Sequence, residues 1–195
     1  MTTTTIGILL AVAAYFAGSF PTASIVGLLS GHDHNREGSG NPGASNVWRT
    51  SGATYGMITV IADALKGVLP VLATLLLSNR TWAAVAWIAA TVGHIVPFGR
   101  FRRGGKGVAT GGGGSLPLFP VLGLAMIAVF VVIVKLTRKA SLASLVITAL
   151  LLVGVTLLHE ETIEIVAAVT VATLVILRHW SNIGRLISGD ELSVR

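Results

Sequence analysis

Six long apolar runs constrain the fold of this chain more than any other feature of its sequence. Several of them approach the ~20 residues that a helix needs to cross the hydrocarbon core of a bilayer. None alternates apolar and polar residues with period two, and lipid admits only helices or closed barrels. The sequence therefore predicts an all-α polytopic membrane protein, organised as a single domain over residues 1–195. The runs are 6–29, 55–77, 82–98, 118–136, 142–158 and 163–177.

The composition excludes several other classes. Only 11% of the residues are charged, whereas a soluble domain usually carries about 25%. The absence of cysteine excludes disulfides, thiolate metal sites and a cysteine nucleophile. The first 18 residues lack a basic segment and a clear cleavage site, so they predict a retained first span. The excess of 14 Lys and Arg over 8 Asp and Glu favours anionic lipids or small anionic substrates over nucleic acid.

The positions of the basic residues predict how often the chain crosses the membrane. Twelve of the fourteen lie in the clusters 36–49, 100–106, 135–139 and 178–195, which should all be cytoplasmic. Six simple spans would leave either 100–106 or 135–139 outside. One further crossing between residues 107 and 120 places every cluster inside. That segment is short and glycine-rich, so it predicts a half-length or re-entrant helix buried within protein. Seven crossings put the N-terminus outside and the C-terminus in the cytoplasm.

Three polar loops then fall on one membrane face, at 37–50, 101–110 and 178–191. Each combines a basic residue, small residues and an amide or hydroxyl, a mixture that suits phosphate oxygens. The first contains G-x-G-x-x-G over 38–43, but it follows a membrane helix, so it predicts an anion-binding backbone turn and not a dinucleotide fold.

The second loop surrounds Lys106 with glycines but does not match the Walker A pattern. Arg100 and Gly107 occupy the positions where that pattern needs glycine and Ser or Thr. The loop therefore predicts an anion site without nucleotide hydrolysis, with Thr110 capping the helix that follows. Asp63 and Lys66, three residues apart, predict an ion pair inside the membrane. The sequence predicts no metal site.

Five sequence blocks follow one another along the chain: GSGNPGASNVWR, DALKG, GHIVPF, FRRGGKGVAT and RHWSNIGRLISGDE. In this order they resemble the acyl-phosphate-dependent glycerol-3-phosphate acyltransferases, the PlsY family of bacterial membranes. The resemblance covers essentially the whole chain. Pro42, Ser45 and Val96 depart from the usual family pattern, and Pro42 removes a backbone donor from the first loop.

The resemblance implies an enzyme that transfers the acyl group of an acyl phosphate to the 1-hydroxyl of sn-glycerol 3-phosphate. The products are lysophosphatidic acid and phosphate, an early step of phospholipid synthesis. It also implies seven helices, no cofactor, and an active site on the cytoplasmic side of the bacterial plasma membrane. No histidine is followed by aspartate five positions later, which argues against the acyl-CoA-dependent branch. The oligomeric state stays open.

Matching the motifs assigns roles to individual residues. The proton acceptor stays open between His179, His94 and the substrate's own phosphate, and we favour the phosphate. The expected catalytic residues are Ser39, Ser45, His179 and Asn182. The expected phosphate ligands are Asn41, Asn46, Arg49, Gly104, Gly105, Lys106, Gly107, Thr110 and Arg178, with His94 and Glu191 as supporting residues.

Two other functions fit parts of this pattern. A transporter or channel for phosphate esters would explain the glycine-rich segment 107–120 and the basic loops. The sequence, however, has no internal repeat, and Asp63 and Lys66 are almost the only charges near the middle of a span. A non-catalytic lipid-binding scaffold would need the basic loops but not their amides and hydroxyls.

Overall fold

The structure is a computed structural model that describes residues 1–99, 103–158 and 162–194. These ranges contain ten helices and no strand. The helices are α1 (Thr3–Gly18), α2 (Thr22–Ser30), α3 (Ala44–Ser51), α4 (Ala53–Leu77), α5 (Arg80–Ile95), α6 (Val108–Leu118), α7 (Pro120–Thr137), α8 (Ala140–Leu158), α9 (Thr162–Arg178) and α10 (Trp180–Ser188).

Four helical segments of the described chain are long and apolar enough to cross a membrane. They are Thr3–Ser30, Ala53–Leu77, Pro120–Thr137 and Ala140–Leu158, and α9 together with α10, bent by 57°, would make a fifth. Large apolar side chains such as Leu76, Val121 and Leu157 are exposed on the outside of the bundle. That exposure suits contact with acyl chains and not with water. The prediction of a helical, multi-pass membrane protein is confirmed.

The first apolar run, 6–29, is not one continuous helix. α1 ends at Gly18, and α2 begins only at Thr22. Pro21 has no backbone N–H and disfavours helical geometry at the residue before it, which explains the break. The backbone N–H of Ser19 donates to the Tyr15 carbonyl at 2.9 Å and closes the end of α1. The break places the start of α2 beside the loop that precedes α6.

The short helix expected within 107–120 is present as α6, and it lies in close contact with α4. A Cβ atom on Gly67 would collide with the carbonyl oxygen of Thr110, and one on Gly113 would collide with that of Ala64. Only glycine allows the two backbones to approach so closely. α6 ends at Phe119, immediately before Pro120 starts α7.

Contacts between helices define two opposite ends of the bundle, which we name after Arg80 and Lys106. At the Arg80 end, Arg80 at the start of α5 donates to Glu164 of α9 at 2.5 Å and to the Leu118 carbonyl of α6 at 3.1 Å. At the Lys106 end, Tyr15 of α1 donates to the Val96 carbonyl just beyond α5 at 3.0 Å. α5 and α6 therefore run in opposite directions along the same depth of the bundle, and the loop before α6 lies at the Lys106 end.

Candidate active site

A hydrogen-bonded cluster around Lys106 joins the second and third polar loops. The Lys106 ammonium donates to Asn182 Oδ1 at 2.5 Å, and Asn182 Nδ2 donates to Glu191 Oε1 at 2.6 Å. Ser141 at the start of α8 donates to the same carboxylate oxygen at 2.8 Å. Arg185 Nε donates to Glu191 Oε2 at 2.9 Å. These five residues, which we call the Lys106 cluster, fix the position of a partly exposed ammonium.

The electrostatics of the Lys106 cluster favour an anion. Burial lowers the pKa of Lys106 to about 8, and the Glu191 carboxylate opposes that shift. Arg185, Arg49 and Arg178 are close enough to lower this pKa further. Three guanidinium groups and one carboxylate therefore lie within electrostatic range of the Lys106 ammonium. This excess of positive charge suits a phosphate dianion.

The junction of α9 and α10 supplies two side chains to this region. Arg178 Nη2 donates to the Gly104 carbonyl at 3.0 Å and so ties α9 to the second loop. His179 is buried, and its Nδ1 lies 2.8 Å from the Val175 carbonyl. A carbonyl only accepts, so Nδ1 carries the proton and Nε2 is the acceptor of the neutral ring. Burial lowers the pKa of His179 to about 4, which keeps the ring neutral at physiological pH.

Gly105 packs directly against His94 at the end of α5. A Cβ atom at Gly105 would collide with Nε2 of the imidazole, so the second loop can approach α5 only with glycine there. His94 Nδ1 lies 3.8 Å from Asp63, and Asp63 accepts a hydrogen bond of 2.7 Å from Lys66. The ion pair predicted between Asp63 and Lys66 is therefore confirmed.

The prediction that Thr110 caps the helix after the second loop is wrong. α6 begins at Val108, and its N-cap is Gly107, with φ of 84° and no side-chain cap. Thr110 is buried within the first turn, and its hydroxyl donates to the Asp63 carbonyl at 2.8 Å. The hydroxyl therefore joins α6 to α4.

In the first loop, the side chain of Asn46 stabilises the loop itself. Asn46 is buried, and its amide donates to the carbonyls of His34 at 3.1 Å and Glu37 at 2.9 Å. Its Oδ1 accepts the backbone N–H of Ser39 at 2.8 Å. The amide thus holds the loop closed, whereas the Ser39 side chain is exposed. Asn41 and Ser45 are partly exposed.

Arg49 connects the first loop to the segment that directly follows the third loop. Its Nε donates to the Ser193 carbonyl at 3.0 Å, across 144 residues of sequence. The first loop also meets the second, because Pro42 lines the same cleft as Gly104 and Gly105. The described parts of all three polar loops therefore meet at the Lys106 end, as the basic residues predicted.

Two residues of the Lys106 cluster, Ser141 and Arg185, were not among the site residues expected from the sequence. Ser141 follows the basic segment 135–139 at the head of an apolar run, and no motif marks it. Arg185 was visible only as one basic residue among several. Within the described ranges, no three His, Asp or Glu residues come close enough together to hold a metal ion.

Comparisons with known proteins show which family this chain resembles. A family model described as glycerol-3-phosphate acyltransferase matches residues 8–189. A glycerol-3-phosphate acyltransferase of Trichlorobacter lovleyi is 40% identical over 96% of this chain and 97% of its own length. Its counterpart in Geotalea daltonii is 41% identical over 94% of this chain and 95% of its own length.

Solved structures of glycerol 3-phosphate acyltransferases are also similar to this chain. A crystal structure of PlsY, an integral membrane glycerol 3-phosphate acyltransferase, in its glycerol 3-phosphate form superposes with a TM-score of 0.91 at 31% identity. It covers 96% of this chain and 94% of that one. The lysophosphatidic acid form of PlsY superposes with a TM-score of 0.88. The chain therefore belongs to the glycerol-3-phosphate acyltransferase family, in its PlsY branch, and is an integral membrane acyltransferase.

Proposed function

We propose that this acyltransferase uses acyl phosphate as its donor and acylates the 1-hydroxyl of sn-glycerol 3-phosphate. The observation that carries the proposal is the Lys106 cluster, an anion site with a fixed ammonium and surrounding guanidinium groups. The PlsY structures, described as glycerol 3-phosphate and lysophosphatidic acid forms, support the acceptor and the product. Lysophosphatidic acid and inorganic phosphate are the products of the proposed reaction.

The chemistry needs little more than positioning and charge stabilisation. An acyl phosphate is a mixed anhydride, so its carbonyl carbon is already activated and needs no protein nucleophile. The 1-hydroxyl oxygen bonds to that carbon. The bond between the carbon and the oxygen that bridges it to phosphorus breaks, and phosphate leaves with that oxygen. Fixed donors that stabilise the developing charge supply most of the acceleration in such a step. A chain without cysteine can perform this reaction.

The proton of the hydroxyl passes to a phosphate oxygen of the substrate. His179, one of the alternatives, has a pKa of about 4 because it is buried, and so it is a weak base. Its Nε2 can still accept a hydrogen bond from the substrate hydroxyl and orient it. Asn182 holds Lys106 in position, and Glu191 in turn holds Asn182. Lys106 and Arg49 bind the phosphate of glycerol 3-phosphate.

The remaining expected residues keep their roles as part of this proposal. Ser39, Asn41 and Ser45 offer donors from the first loop to the substrates. Asn46 acts through the loop that it closes, and Thr110 acts through the contact between α6 and α4. The backbone of the second loop, together with Arg178 and His94, shapes the space between the two substrates.

The proposal includes seven crossings, with the N-terminus outside and the active site on the cytoplasmic side of a bacterial plasma membrane. Two observations support this topology. α5 and α6 run in opposite directions, and basic residues gather at one end of the bundle. Arg80 lies at one end, whereas Lys106, Arg49, Arg178 and Arg185 lie at the other. An excess of Lys and Arg is typical of the cytoplasmic side.

The test is an acyl-transfer assay with purified protein, palmitoyl phosphate and radiolabelled glycerol 3-phosphate. Labelled lysophosphatidic acid should form with palmitoyl phosphate and not with palmitoyl-CoA. Lys106→Met should raise the KM for glycerol 3-phosphate by more than tenfold. Lys135→Met removes an exposed cation at the end of α7 and is the matched control. Product from palmitoyl-CoA alone would contradict the proposed donor.

A further inference from the structure

The segment after α10, residues 190–194, bonds to residues of α3, α8 and α10 and to the end of α7. α10 ends at Gly189, whose φ of 84° turns the chain away from the helix axis. The five residues that follow have no regular secondary structure, and we call them the strap. Glu191 belongs to the Lys106 cluster, but nothing described so far accounts for the backbone contacts of Ser193 and Val194.

The side chain of Glu191 fixes the first half of the strap. It is buried, and it accepts hydrogen bonds from Ser141 of α8 and from Asn182 and Arg185 of α10. The neighbouring Asp190 stays on the surface. Bonds to a buried carboxylate are strong, so the strap is firmly attached to the Lys106 cluster at this residue.

The far end of the strap is fixed at the corner between α7 and α8. The backbone N–H of Val194 donates to the Arg138 carbonyl at 2.7 Å. Arg138 is the C-cap residue of α7, and its φ of 58° is the one positive φ of a non-glycine residue in the part of the chain that the structure describes. A side chain makes this conformation costly, so surrounding contacts have to maintain it. The bond from Val194 is one such contact.

Between these two attachments, the Ser193 carbonyl holds the side chain of Arg49. The Nε of Arg49 donates to this carbonyl at 3.0 Å, and its Nη1 lies 3.5 Å from Asn46 Oδ1. A guanidinium has five N–H donors, so the bond from Nε leaves donors on the Nη groups for a ligand. An arginine side chain loses rotamer freedom when it binds a ligand, and a side chain that is already fixed loses less.

Arg49 needs such a restraint because its neighbours repel it. It lies within electrostatic range of the Lys106 ammonium and of the Arg185 guanidinium, and Glu191 is the carboxylate that attracts it. Before a phosphate binds, two cations therefore oppose one anion, which favours a conformation with the guanidinium turned toward water. The bond to the Ser193 carbonyl opposes that movement and keeps Arg49 beside the Lys106 cluster.

We propose that the strap is a positioning segment, which holds Arg49 ready for the phosphate of glycerol 3-phosphate. The proposal rests on the proposed function for the identity of this ligand. The bond between Val194 and Arg138 sets the place of the Ser193 carbonyl, because the two strap residues are adjacent. The corner between α7 and α8 thereby determines where Arg49 of α3 meets the substrate.

The kinetic test is Val194→Pro, because proline has no backbone N–H to donate to Arg138. Loss of one neutral hydrogen bond should raise the KM for glycerol 3-phosphate about fivefold. The kcat and the KM for palmitoyl phosphate should stay within about twofold of wild type, since only acceptor binding is affected. Val194→Ala keeps the N–H and should keep the wild-type KM. An unchanged KM for glycerol 3-phosphate in Val194→Pro, or equal rises in both KM values, would overturn the proposal.

A double-mutant cycle tests whether the effect passes through Arg49. Arg49→Met alone should raise the KM for glycerol 3-phosphate. If the strap acts by placing the guanidinium, adding Val194→Pro to Arg49→Met should raise this KM no further. A strap that only stabilises the fold would lower the thermal unfolding temperature in both backgrounds and raise this KM by the same factor in each. That result would overturn the proposal.

A binding measurement separates the strap from the proposed reaction. Glycerol 3-phosphate is titrated calorimetrically into the full chain in detergent, without an acyl donor. Val194→Pro should bind it about fivefold more weakly than wild type, and Val194→Ala should bind it equally well. If wild type binds it without any acyl transfer and Val194→Pro binds it more weakly, the reaction fails and the strap stands. If wild type is active and Val194→Pro binds it as tightly, the strap fails.

Discussion

Replacing Glu191 with glutamine tests how the Lys106 cluster works. The carboxylate accepts hydrogen bonds from Ser141, Asn182 and Arg185. A glutamine carbonyl can keep the first two of these bonds, but its amide presents a donor to the guanidinium of Arg185. The lost bond to a charged group is worth about 1.5–3 kcal/mol. The lower figure applies, because the Arg185 side chain is 33% exposed and water replaces part of the interaction.

Two readouts should change in Glu191→Gln. A loss of about 1.5 kcal/mol corresponds to about a tenfold fall in kcat/KM for glycerol 3-phosphate. The Glu191 charge also raises the pKa of Lys106 against the effect of burial. Without that charge the ammonium deprotonates at lower pH, so the alkaline limb of the kcat/KM profile should move to lower pH. A radiolabelled product assay across pH 6 to 9 measures both.

The matched control is Asp190→Asn, which changes the neighbouring, exposed carboxylate. Asp190 accepts a hydrogen bond from Ser188 on the surface and is no part of the cluster. It should leave both the rate and the pH profile unchanged. If Glu191→Gln keeps the wild-type alkaline limb, or if Asp190→Asn causes the same loss, Glu191 does not act through Lys106.

Three further predictions concern Lys106, Gly113 and Arg80. In wild type, kcat/KM for glycerol 3-phosphate should fall as pH rises through about 8, because Lys106 loses its charge there; a limb that is unchanged in Lys106→Arg would contradict this. Gly113→Ala should lower stability by about 1–3 kcal/mol through collision with α4, whereas Gly112→Ala, with open space around it, should not; thermal unfolding in detergent compares them. Arg80→Leu should cost about 3 kcal/mol by leaving buried Glu164 unpaired, and Arg80→Leu with Glu164→Leu should recover most of it by the same measurement.

Local patterns predicted the helices well, because each apolar run is a property of neighbouring residues. Runs 55–77, 142–158 and 163–177 all lie within single helices. The short element at 107–120 followed from the sidedness of the basic residues and not from hydropathy, since its eleven helical residues are too few for a standard span. The break after Gly18 was readable from Pro21 but was hidden by the apolar residues on both sides.

Individual roles in the site were harder to predict, because a polar side chain near a motif can serve the loop or the substrate. Asn46 is predicted to bind phosphate, and the structure adds that its amide bonds to the backbone of His34, Glu37 and Ser39. Thr110 looked like a helix cap, yet its hydroxyl crosses to α4. In both cases the sequence contains the donor and acceptor atoms but not the distances between them.

The sequence by itself determined that this chain is a helical membrane protein with three basic, glycine-bearing loops on one face. Those properties depend on composition and on the order of apolar and basic segments, which the bilayer sorts by transfer free energy. Only the tertiary structure decided that Lys106 bonds to Asn182, and that Asn182 and Ser141 bond to the same carboxylate oxygen of Glu191. Those facts depend on hydrogen bonds between residues as many as 76 positions apart. Such bonds form only when the helices are packed together.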